Sequence, residues 1–285
     1  MTRIIVQPQG EGDKRPKGNL VRRQSIWTRL THWLWVLCLF FLLFTGLQIF
    51  NAHPSLYVGE QSGFEFSNSV FSIHAERMPD GSIGGFTTIF GNKFETTGFL
   101  GYSGPEGREQ VRGFPQWLTI PTYQDLATGR VVHFFFAWVL VGTLAVWALA
   151  SLVNGHLRRD IVPGRADLRG VPGDVVRHAR FRFVRGRRYG PLQKLSYFVV
   201  LLVLFPLIIL TGLTMSPGMN AAWPWLVDIF GGRQTARTIH FVVMVLLVLF
   251  FVIHVAMVIL SGPINAMRSM ITGRYRIDAE EEERP

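Results

Sequence analysis

Four apolar stretches without a charged side chain constrain this chain more than any other feature of its sequence. Residues 33–50, 131–153, 195–215 and 239–260 contain no Lys, Arg, Asp or Glu. Each approaches the length of about 20 residues that a helix needs to cross the hydrocarbon core of a bilayer. Since the backbone cannot bond to water inside lipid, each stretch is predicted to be a helix. The sequence therefore predicts an all-α membrane protein, built as a four-transmembrane-helix bundle.

Composition supports a membrane protein and narrows the kinds of site that it can hold. Charged residues make up only 17% of the 285 residues, whereas a soluble domain carries about 25%. The single cysteine, Cys38, excludes internal disulfides and sites built from several cysteines. Cys38 itself is predicted to pack as a small buried apolar residue. The first span is predicted to cover residues 28–50, and Pro206 is predicted to kink the third span.

Basic residues are distributed unequally between the two sides of the predicted bundle. The N-terminal segment, the loop at residues 154–194 and the C-terminal segment together hold 22 of the 29 Lys and Arg residues. The positive-inside rule therefore places both termini and this Arg-rich loop in the cytoplasm, and the loop at residues 51–130 in the periplasm. The expected location is a bacterial inner membrane. The net charge of +10 follows from this topology, so nucleic-acid binding is not expected.

The chain is predicted to divide into a membrane domain and two tails. Residues 23–276 form the transmembrane domain. Residues 1–22 are polar, contain Gly, Pro and Lys, and are interpreted as a flexible cytoplasmic tail. Residues 277–285 are interpreted as a second cytoplasmic tail, which is acidic.

The predicted periplasmic loop between the first two helices, residues 51–130, is too long for a simple connector. Within it, residues 86–97 have the pattern of a β-hairpin with a two-residue turn at Gly91-Asn92. The loop either caps the bundle or forms a docking surface for a periplasmic protein. The sequence leaves both interpretations open.

Four histidines lie in the spans or at their mouths, and they carry the predicted chemistry. Ionisable residues inside a membrane are costly and are functional candidates, although a lone histidine often serves only as an interhelical hydrogen bond. The topology sorts these four into pairs by depth: His32 meets His254 on the inner side, and His133 meets His240 on the outer side. His240 and His254 are fourteen residues apart, which corresponds to a rise of about 21 Å and a rotation of about 40° out of register.

Two imidazoles per site, at two levels of a four-helix bundle, suit two haem b groups held between the helices. Because the protein fills both axial positions, oxygen has no open coordination position, and the expected task is electron transfer. Zinc is the competing metal. Its tetrahedral sites need three or four ligands close together, whereas the two pairs are separated along the helix and no span offers a carboxylate.

Arginines precede three of the four histidines by three residues and are candidates for contacts to haem propionates. They are Arg29, Arg130 and Arg237. A residue at this spacing lies on the same helix face, and an Arg there can form a bidentate pair with a propionate. The competing interpretation is that Arg simply flanks membrane spans. Gly46 lies fourteen residues after His32, so it is expected to let the outer haem approach the helix.

Polar residues at the inner rim are candidates for a quinone pocket. Gln193 and Lys194 lie where the third span reaches that side, near the predicted inner haem. Polar residues are also ordinary at the end of a span, and this alternative stays open.

Several motifs resemble the di-haem cytochrome b family of bacterial respiratory oxidoreductases. This family includes membrane subunits of nickel–iron hydrogenases and formate dehydrogenases, and the likeness is closer to thiosulfate-reductase-type cytochrome b. The resemblance covers about residues 22–50 and 130–275. The segments that carry it are Arg29-Leu-Thr-His-Trp33, Thr211-Gly-Leu-Thr-Met-Ser-Pro-Gly218, Gly231-Gly-Arg-Gln-Thr-Ala-Arg-Thr-Ile-His240 and Ser269-Met-Ile-Thr-Gly-Arg-Tyr275.

The resemblance implies a pair of b haems that links membrane quinone to a periplasmic oxidoreductase subunit, often a molybdopterin-dependent enzyme. The chain itself is then an electron-transfer subunit and not the catalytic enzyme. This sequence differs from the family in two places, and these differences limit which family properties can be expected of it. Formate-dehydrogenase-type subunits have Asn-Ala-Gly-Gln-Lys before the third span, and in Gly190-Pro-Leu-Gln-Lys194 only Gln193 and Lys194 match the quinone-linked run. The simpler members also lack the long outer loop.

Two haem-free functions remain as alternatives. One is a small transporter or proton path that uses the histidines as a relay. It predicts discontinuous helices around a water-lined pore, for which no span provides acidic residues or paired Gly and Pro breaks. The other is a plain membrane anchor, in which the histidines only pack and tolerate replacement by alanine.

Overall fold

The computed structural model describes residues 20–22, 24–63, 67–180 and 190–276. The tail predicted at residues 277–285 lies outside the described residues. So does the tail predicted at residues 1–22, except for its last three residues.

Helices make up most of the described chain. In chain order they are α1 (Ile26–Phe50), α2 (Leu126–Val153), α3 (Arg165–Ala179), α4 (Pro191–Val199), α5 (Phe205–Met215), α6 (Pro217–Ala222), α7 (Trp225–Ile229), α8 (Arg233–Ser261) and α9 (Pro263–Thr272). Four segments within the described residues are long and apolar enough to cross a membrane: α1, α2, the run Pro191–Met215 that contains α4 and α5, and α8.

Each membrane-length helix begins before the boundary predicted from the uncharged stretches. The reason is that the first turn of each helix contains polar residues. Ser25 and Asp125 are the N-cap residues of α1 and α2, and their side chains accept hydrogen bonds from the backbone N–H groups of Thr28 and Thr128. Such caps satisfy backbone donors that the start of a helix leaves free. The predicted four-helix arrangement is therefore present, with longer helices.

The third membrane segment is not a regular helix along its whole length. A π-helical turn, Val200–Leu204, separates α4 from α5. It lies just before Pro206, which has no N–H to donate to the carbonyl of Leu202 and whose ring crowds that carbonyl. Irregular turns of this kind are a usual cause of bends in membrane helices. The interruption thus falls where the sequence predicted a kink.

The bundle packs around one apolar core. Helix α1 packs along α2, and α5 packs along α8. Cys38 is fully buried in this core, as the sequence predicted. The buried side chains of the core are Cys38, Leu140, Leu144, Val200, Leu204, Phe205 and Val243.

The segment between α1 and α2 contains β-structure, so the strict all-α prediction must be corrected. We call residues 51–125 the β segment. The strands of the described chain are β1 (Leu20–Arg22), β2 (Ser55–Tyr57), β3 (Ser69–Arg77), β4 (Ile83–Ile89), β5 (Asn92–Glu95), β6 (Gly101–Ser103), β7 (Gln110–Arg112) and β8 (Arg274–Arg276). An antiparallel sheet has the order β2-β3-β4-β5, and β6 pairs with β7.

The predicted β-hairpin is present, but its turn lies one residue earlier than predicted. Ile89 pairs with Asn92, so the two central residues are Phe90 and Gly91. Both have positive φ angles, 47° and 80°, which is the geometry of a type I′ turn. This turn follows the natural twist of the two strands. A phenylalanine with positive φ is uncommon, and for this reason the sequence pattern indicated Gly91-Asn92 instead.

The β segment is fixed to the first turn of α8. The carbonyl of Gly59 accepts hydrogen bonds from the backbone N–H groups of Gln234 and Thr235, both at 3.2 Å. The hydroxyl of Thr235 accepts from the N–H of Gly59 at 2.7 Å. The two chain segments approach so closely that a Cβ at Gly232 would lie 2.5 Å from the Gly59 oxygen. The β segment therefore supplies the cap that this helix end lacks in its own sequence.

A buried arginine organises the last part of the β segment. Arg112 is only 3% exposed. Its Nε donates to the carbonyl of Phe114 at 2.7 Å, Nη1 to the carbonyl of Thr122 at 3.0 Å, and Nη2 to the hydroxyl of Thr119 at 3.0 Å. Burial lowers the pKa of Arg112. These three oxygens compensate for the loss of water around the guanidinium.

We expect Arg112→Met to loosen the β segment. Each of the three oxygens then loses its partner, which costs roughly 1–3 kcal/mol for a group that stays buried. The measurement is limited proteolysis of the full chain in detergent, with faster cleavage within residues 51–125 as the expected result. Arg108→Met is the matched control, because Arg108 is exposed. Equal cleavage rates for the two variants would contradict the role given to Arg112.

Helix α3, in the Arg-rich loop between α2 and α4, packs against α4. The carboxylate of Asp174 in α3 is 5% exposed and accepts a hydrogen bond from the N–H of Leu192 at 3.0 Å. It also pairs with Arg177 at 3.0 Å. A negative charge at a helix N-terminus satisfies free donors and the helix dipole. Strand β1 pairs with β8, and this pairing joins the two ends of the described chain.

Candidate cofactor site

The first histidine pair joins the start of α1 to the second half of α8. The rings of His32 and His254 lie with their centroids 6.4 Å apart, at an angle of 50° between the ring planes. Metal–nitrogen bonds are about 2 Å long, so two imidazoles that bind one ion from opposite sides need centroids roughly 6 Å apart. The observed spacing suits a single ion between the two rings. Phe250 stacks on His254 at 5.7 Å and fixes one side of that ring.

Arg29 lies beside this pair, and two buried nitrogens here have no hydrogen-bond partner among the described residues. They are Nδ1 of His32 and Nε of Arg29. The Nη1 atom of Arg29 donates to the carbonyl of Ile271, and Trp33 donates to the carbonyl of Met270 at 3.1 Å. These bonds hold α9 against α1. Buried polar groups are rarely left unpaired, so the two free nitrogens mark a place where a further group fits.

The second histidine pair lies at the other end of the bundle. His133 is near the start of α2 and His240 is near the start of α8, and the two are close enough to interact electrostatically. Each imidazole is bonded to a fully buried threonine. The Oγ1 of Thr45 lies 3.1 Å from Nδ1 of His133, and the Oγ1 of Thr211 lies 3.1 Å from Nδ1 of His240.

A glycine follows each of these threonines and lies against the same imidazole. A Cβ at Gly46 would lie 3.4 Å from Cε1 of His133, and a Cβ at Gly212 would lie 3.4 Å from Cε1 of His240. The sequence predicts that Gly46 lets a macrocycle approach α1. In the structure its nearest neighbour across the helices is the imidazole itself.

Sequence reasoning did not identify Thr45, Thr211 and Gly212. A signal was available, because the tripeptide Thr-Gly-Leu occurs at residues 45–47 and again at residues 211–213. The structure places both copies at the second histidine pair.

The other two predicted arginines differ in their surroundings. Arg237 donates to the carbonyl of His53, and its Cζ lies 5.4 Å from the centre of the Phe50 ring. Arg130 is exposed, and its Cζ lies 5.7 Å from the ring of Phe134. Among the described residues, neither forms a salt bridge with a carboxylate. Their charges therefore remain uncompensated by that part of the protein.

The two residues predicted for a quinone pocket are engaged within the protein. Gln193 donates to the hydroxyl of Tyr197 at 2.7 Å. The ammonium of Lys194 donates to Asp167 of α3 at 2.9 Å, and its side chain is 15% exposed. The hydrogen bond from Lys194 is the main reason that the pKa of Asp167 lies below its usual value. Lys194 thus has a structural role between α3 and α4.

The residues present fit a haem group between paired histidines better than a zinc ion. Across the described ranges, no group of three or more His, Cys, Asp or Glu side chains gathers in a way that would hold a metal ion. Zinc sites need such a group, whereas a haem supplies four ligands of its own and needs one or two from the protein. The paired rings, the unpaired nitrogens near His32 and the glycines against the outer imidazoles are consistent with that requirement.

Comparisons with known proteins point to the same class. Residues 173–273 match the family model described as prokaryotic cytochrome b561. A protein of Azospira oryzae, provisionally described as the protein-methionine-sulfoxide reductase subunit YedZ1, is 25% identical over 236 residues, which cover 82% of this chain and 88% of the relative. The predicted resemblance to b-type cytochromes is confirmed. The four apolar helices and the likeness to a membrane cytochrome b family indicate a multi-pass membrane protein.

Proposed function

We propose that this chain is a di-haem membrane subunit that transfers electrons between membrane quinone and an oxidoreductase partner on the outer side. The observation that supports this best is the arrangement of α8. It presents His240 and His254 fourteen residues apart, and each lies near a histidine of another helix. One helix therefore contributes to two sites, separated along its axis by about 21 Å.

Each histidine pair has the same proposed task. His32 and His254 hold one haem b, and His133 and His240 hold the other. A haem bound at each pair would supply one-electron chemistry between the ferric and ferrous states of its iron. The four histidines would hold the two haems and leave no coordination position for oxygen. The chain is thus proposed to carry electrons and not to catalyse the partner's reaction.

Arginine charge is proposed to neutralise the propionates of the two haems. Arg29 supports this through its buried Nε, which is unpaired within the described chain. Arg237 lies one turn before His240 and, within the same residues, has no carboxylate partner. Arg130 is proposed to act in the same way at the outer rim. Arg is suited to this role because its planar donors match a carboxylate.

The chain is proposed to cross the inner membrane of a bacterial cell. In this orientation both termini and α3 lie in the cytoplasm, and the β segment lies in the periplasm. The excess of Lys and Arg on the first side supports it. The β segment is then the surface that a periplasmic partner meets.

The proposed partner is a periplasmic oxidoreductase subunit. Its support is the provisional description of the Azospira oryzae relative as a subunit of a protein-methionine-sulfoxide reductase. The resemblance to respiratory cytochrome b subunits favours a molybdopterin-dependent enzyme. Quinone is proposed at the inner side, near Gln193 and Lys194. There the Lys194–Asp167 pair holds the start of α4 against α3 and gives the proposed site a fixed wall.

A haem count tests the proposed function. The full chain, expressed with ample haem and purified in detergent, is expected to hold two haems b by pyridine haemochrome assay and to show a reduced-minus-oxidised spectrum typical of such haems. Reduction by a quinol is expected to be slower than reduction by dithionite but complete. Protein that contains no haem would sink the proposal and would favour the membrane anchor. Two haems that dithionite reduces and quinol does not would remove only the quinone part.

A further inference from the structure

The two outer histidines are held by matching pairs of residues on different helices. Thr45 and Gly46 of α1 face His133, and Thr211 and Gly212 of α5 face His240. The distances agree in both places: 3.1 Å from the hydroxyl to Nδ1, and 3.4 Å from the position that a Cβ would take at the glycine to Cε1. Both threonines are 0% exposed. Such agreement between two pairs of helices indicates that both imidazoles require the same support from a hydroxyl and a glycine.

The hydrogen of each threonine hydroxyl already has an acceptor. Thr45 donates to the carbonyl of Phe41 at 2.5 Å, and Thr211 donates to the carbonyl of Leu207 at 2.7 Å. A hydroxyl has one hydrogen to donate and two lone pairs with which to accept. Toward the imidazole, each hydroxyl therefore acts as an acceptor.

A hydroxyl that accepts at Nδ1 requires a hydrogen on that nitrogen. In a neutral imidazole, Nε2 then keeps its lone pair and is free to bind a metal.

We propose that Thr45 and Thr211 are positioning residues for the outer pair of haem ligands. Their hydroxyls hold the imidazoles of His133 and His240 in the tautomer and rotation that leave Nε2 free, and the adjacent glycines give the rings room. This inference rests on the proposed function. It applies to the outer pair alone, because Nδ1 of His32 has no hydrogen-bond partner among the described residues.

The hydrogen bond has a second effect besides orientation. An acceptor at Nδ1–H raises the basicity of the imidazole as a ligand. A more basic ligand favours the ferric state. Loss of the hydroxyl is therefore expected to move the reduction potential of the outer haem to a more positive value and to leave the inner haem unchanged.

The test compares Thr45→Val and Thr211→Val with Thr45→Ser and Thr211→Ser in the full chain. Valine keeps the volume of threonine and removes the hydroxyl, whereas serine keeps the hydroxyl. Each Val variant is expected to bind the outer haem about 10- to 100-fold more weakly, as is typical when a supporting residue of a metal ligand is lost. A redox titration is expected to show a more positive reduction potential for one of the two haems, the outer one. The Ser variants are expected to restore both properties.

Thr214→Val is the matched control. Thr214 lies on α5 three residues after Thr211, is 1% exposed, and donates to the carbonyl of Leu210 at 2.8 Å. Its substitution has the same effect on burial and on the helix, but among the described residues Thr214 forms no hydrogen bond with a histidine. The inner haem of the same sample reports that the bundle has folded.

Three results would overturn the inference. They are an unchanged outer haem in both Val variants, an equal shift in Thr214→Val, and a loss of both haems that serine does not restore. None of them affects the proposed function, which requires only that the wild-type chain hold two haems. A wild-type chain without haem would instead remove the proposed function and this inference with it.

Discussion

His133→Ala is expected to leave the purified chain with one haem instead of two, and His254→Ala is expected to do the same at the other pair. Each substitution removes one of the two imidazoles that are proposed to hold one haem. Loss of a residue that only supports a ligand costs about 10- to 100-fold in affinity, so the loss of a ligand is expected to exceed that range. In the proposed function each haem is one step of a two-step path, so electron transfer from one side of the bundle to the other should then stop.

The haem stoichiometry is measured by pyridine haemochrome assay, together with a redox titration that counts components. His74→Ala is the control, because His74 lies on strand β3 and pairs with Glu76 at the surface, away from the spans. That variant is expected to keep two haems. If His133→Ala or His254→Ala also keeps two, the assignment of the pairs is wrong. If either variant loses both haems, the sites are not independent.

Gly46→Val and Gly212→Val are each expected to remove the outer haem. A single Cβ would lie 3.4 Å from the imidazole carbon at either position, which is already van der Waals contact. The additional methyl groups of valine therefore have to displace the ring of His133 or of His240. Overpacking in a well-packed interior costs about 1–3 kcal/mol, and here the strain falls on a ligand whose direction determines whether it binds.

The loss is measured as a fall from two haems to one, with the inner haem retained. Gly142→Val is the matched control, since Gly142 lies on α2 and a Cβ there would meet nothing within 4 Å. We expect that variant to keep both haems. Retention of two haems by Gly46→Val and by Gly212→Val would show that the imidazoles are not confined by these glycines.

The membrane-length helices, and the end of the bundle at which each histidine lies, could be predicted from the sequence for physical reasons. A charged residue inside lipid is costly, so the absence of charge over about 20 residues is a strong signal for a span. Alternation of direction then fixes the depth of each residue. The structure brings His32 close to His254, as this reasoning predicted. The helix starts were predicted less well, because caps such as Asp125 are polar and lie outside any apolar stretch.

The β segment could be predicted only in part. Its strands are short, several with three residues, and such segments carry little alternation of apolar and polar side chains. The hairpin was visible because a glycine separates two β-favouring runs. Its register was not, since Phe90 adopts a backbone conformation that the residue type disfavours.

The surroundings of the histidines depend on contacts between helices that are distant in sequence. A buried threonine in a membrane helix usually bonds only to its own backbone. No local pattern therefore indicates that Thr45 also contacts an imidazole 88 residues later. The same holds for Arg29 and Arg237, which lie at the predicted spacing but also donate to backbone carbonyls of α9 and of the β segment.

The attachment of the β segment to α8 has a consequence for the speed of exchange with a partner. The carbonyls of His53, Tyr57 and Gly59 all bond to residues 234–238 at the start of α8, just before His240. The β segment is thus hydrogen-bonded to the end of α8 that carries the outer histidine His240. Under the proposed function, a partner that docks on the β segment is placed beside the outer site by these hydrogen bonds, and an electron can pass without a further rearrangement of the β segment against α8.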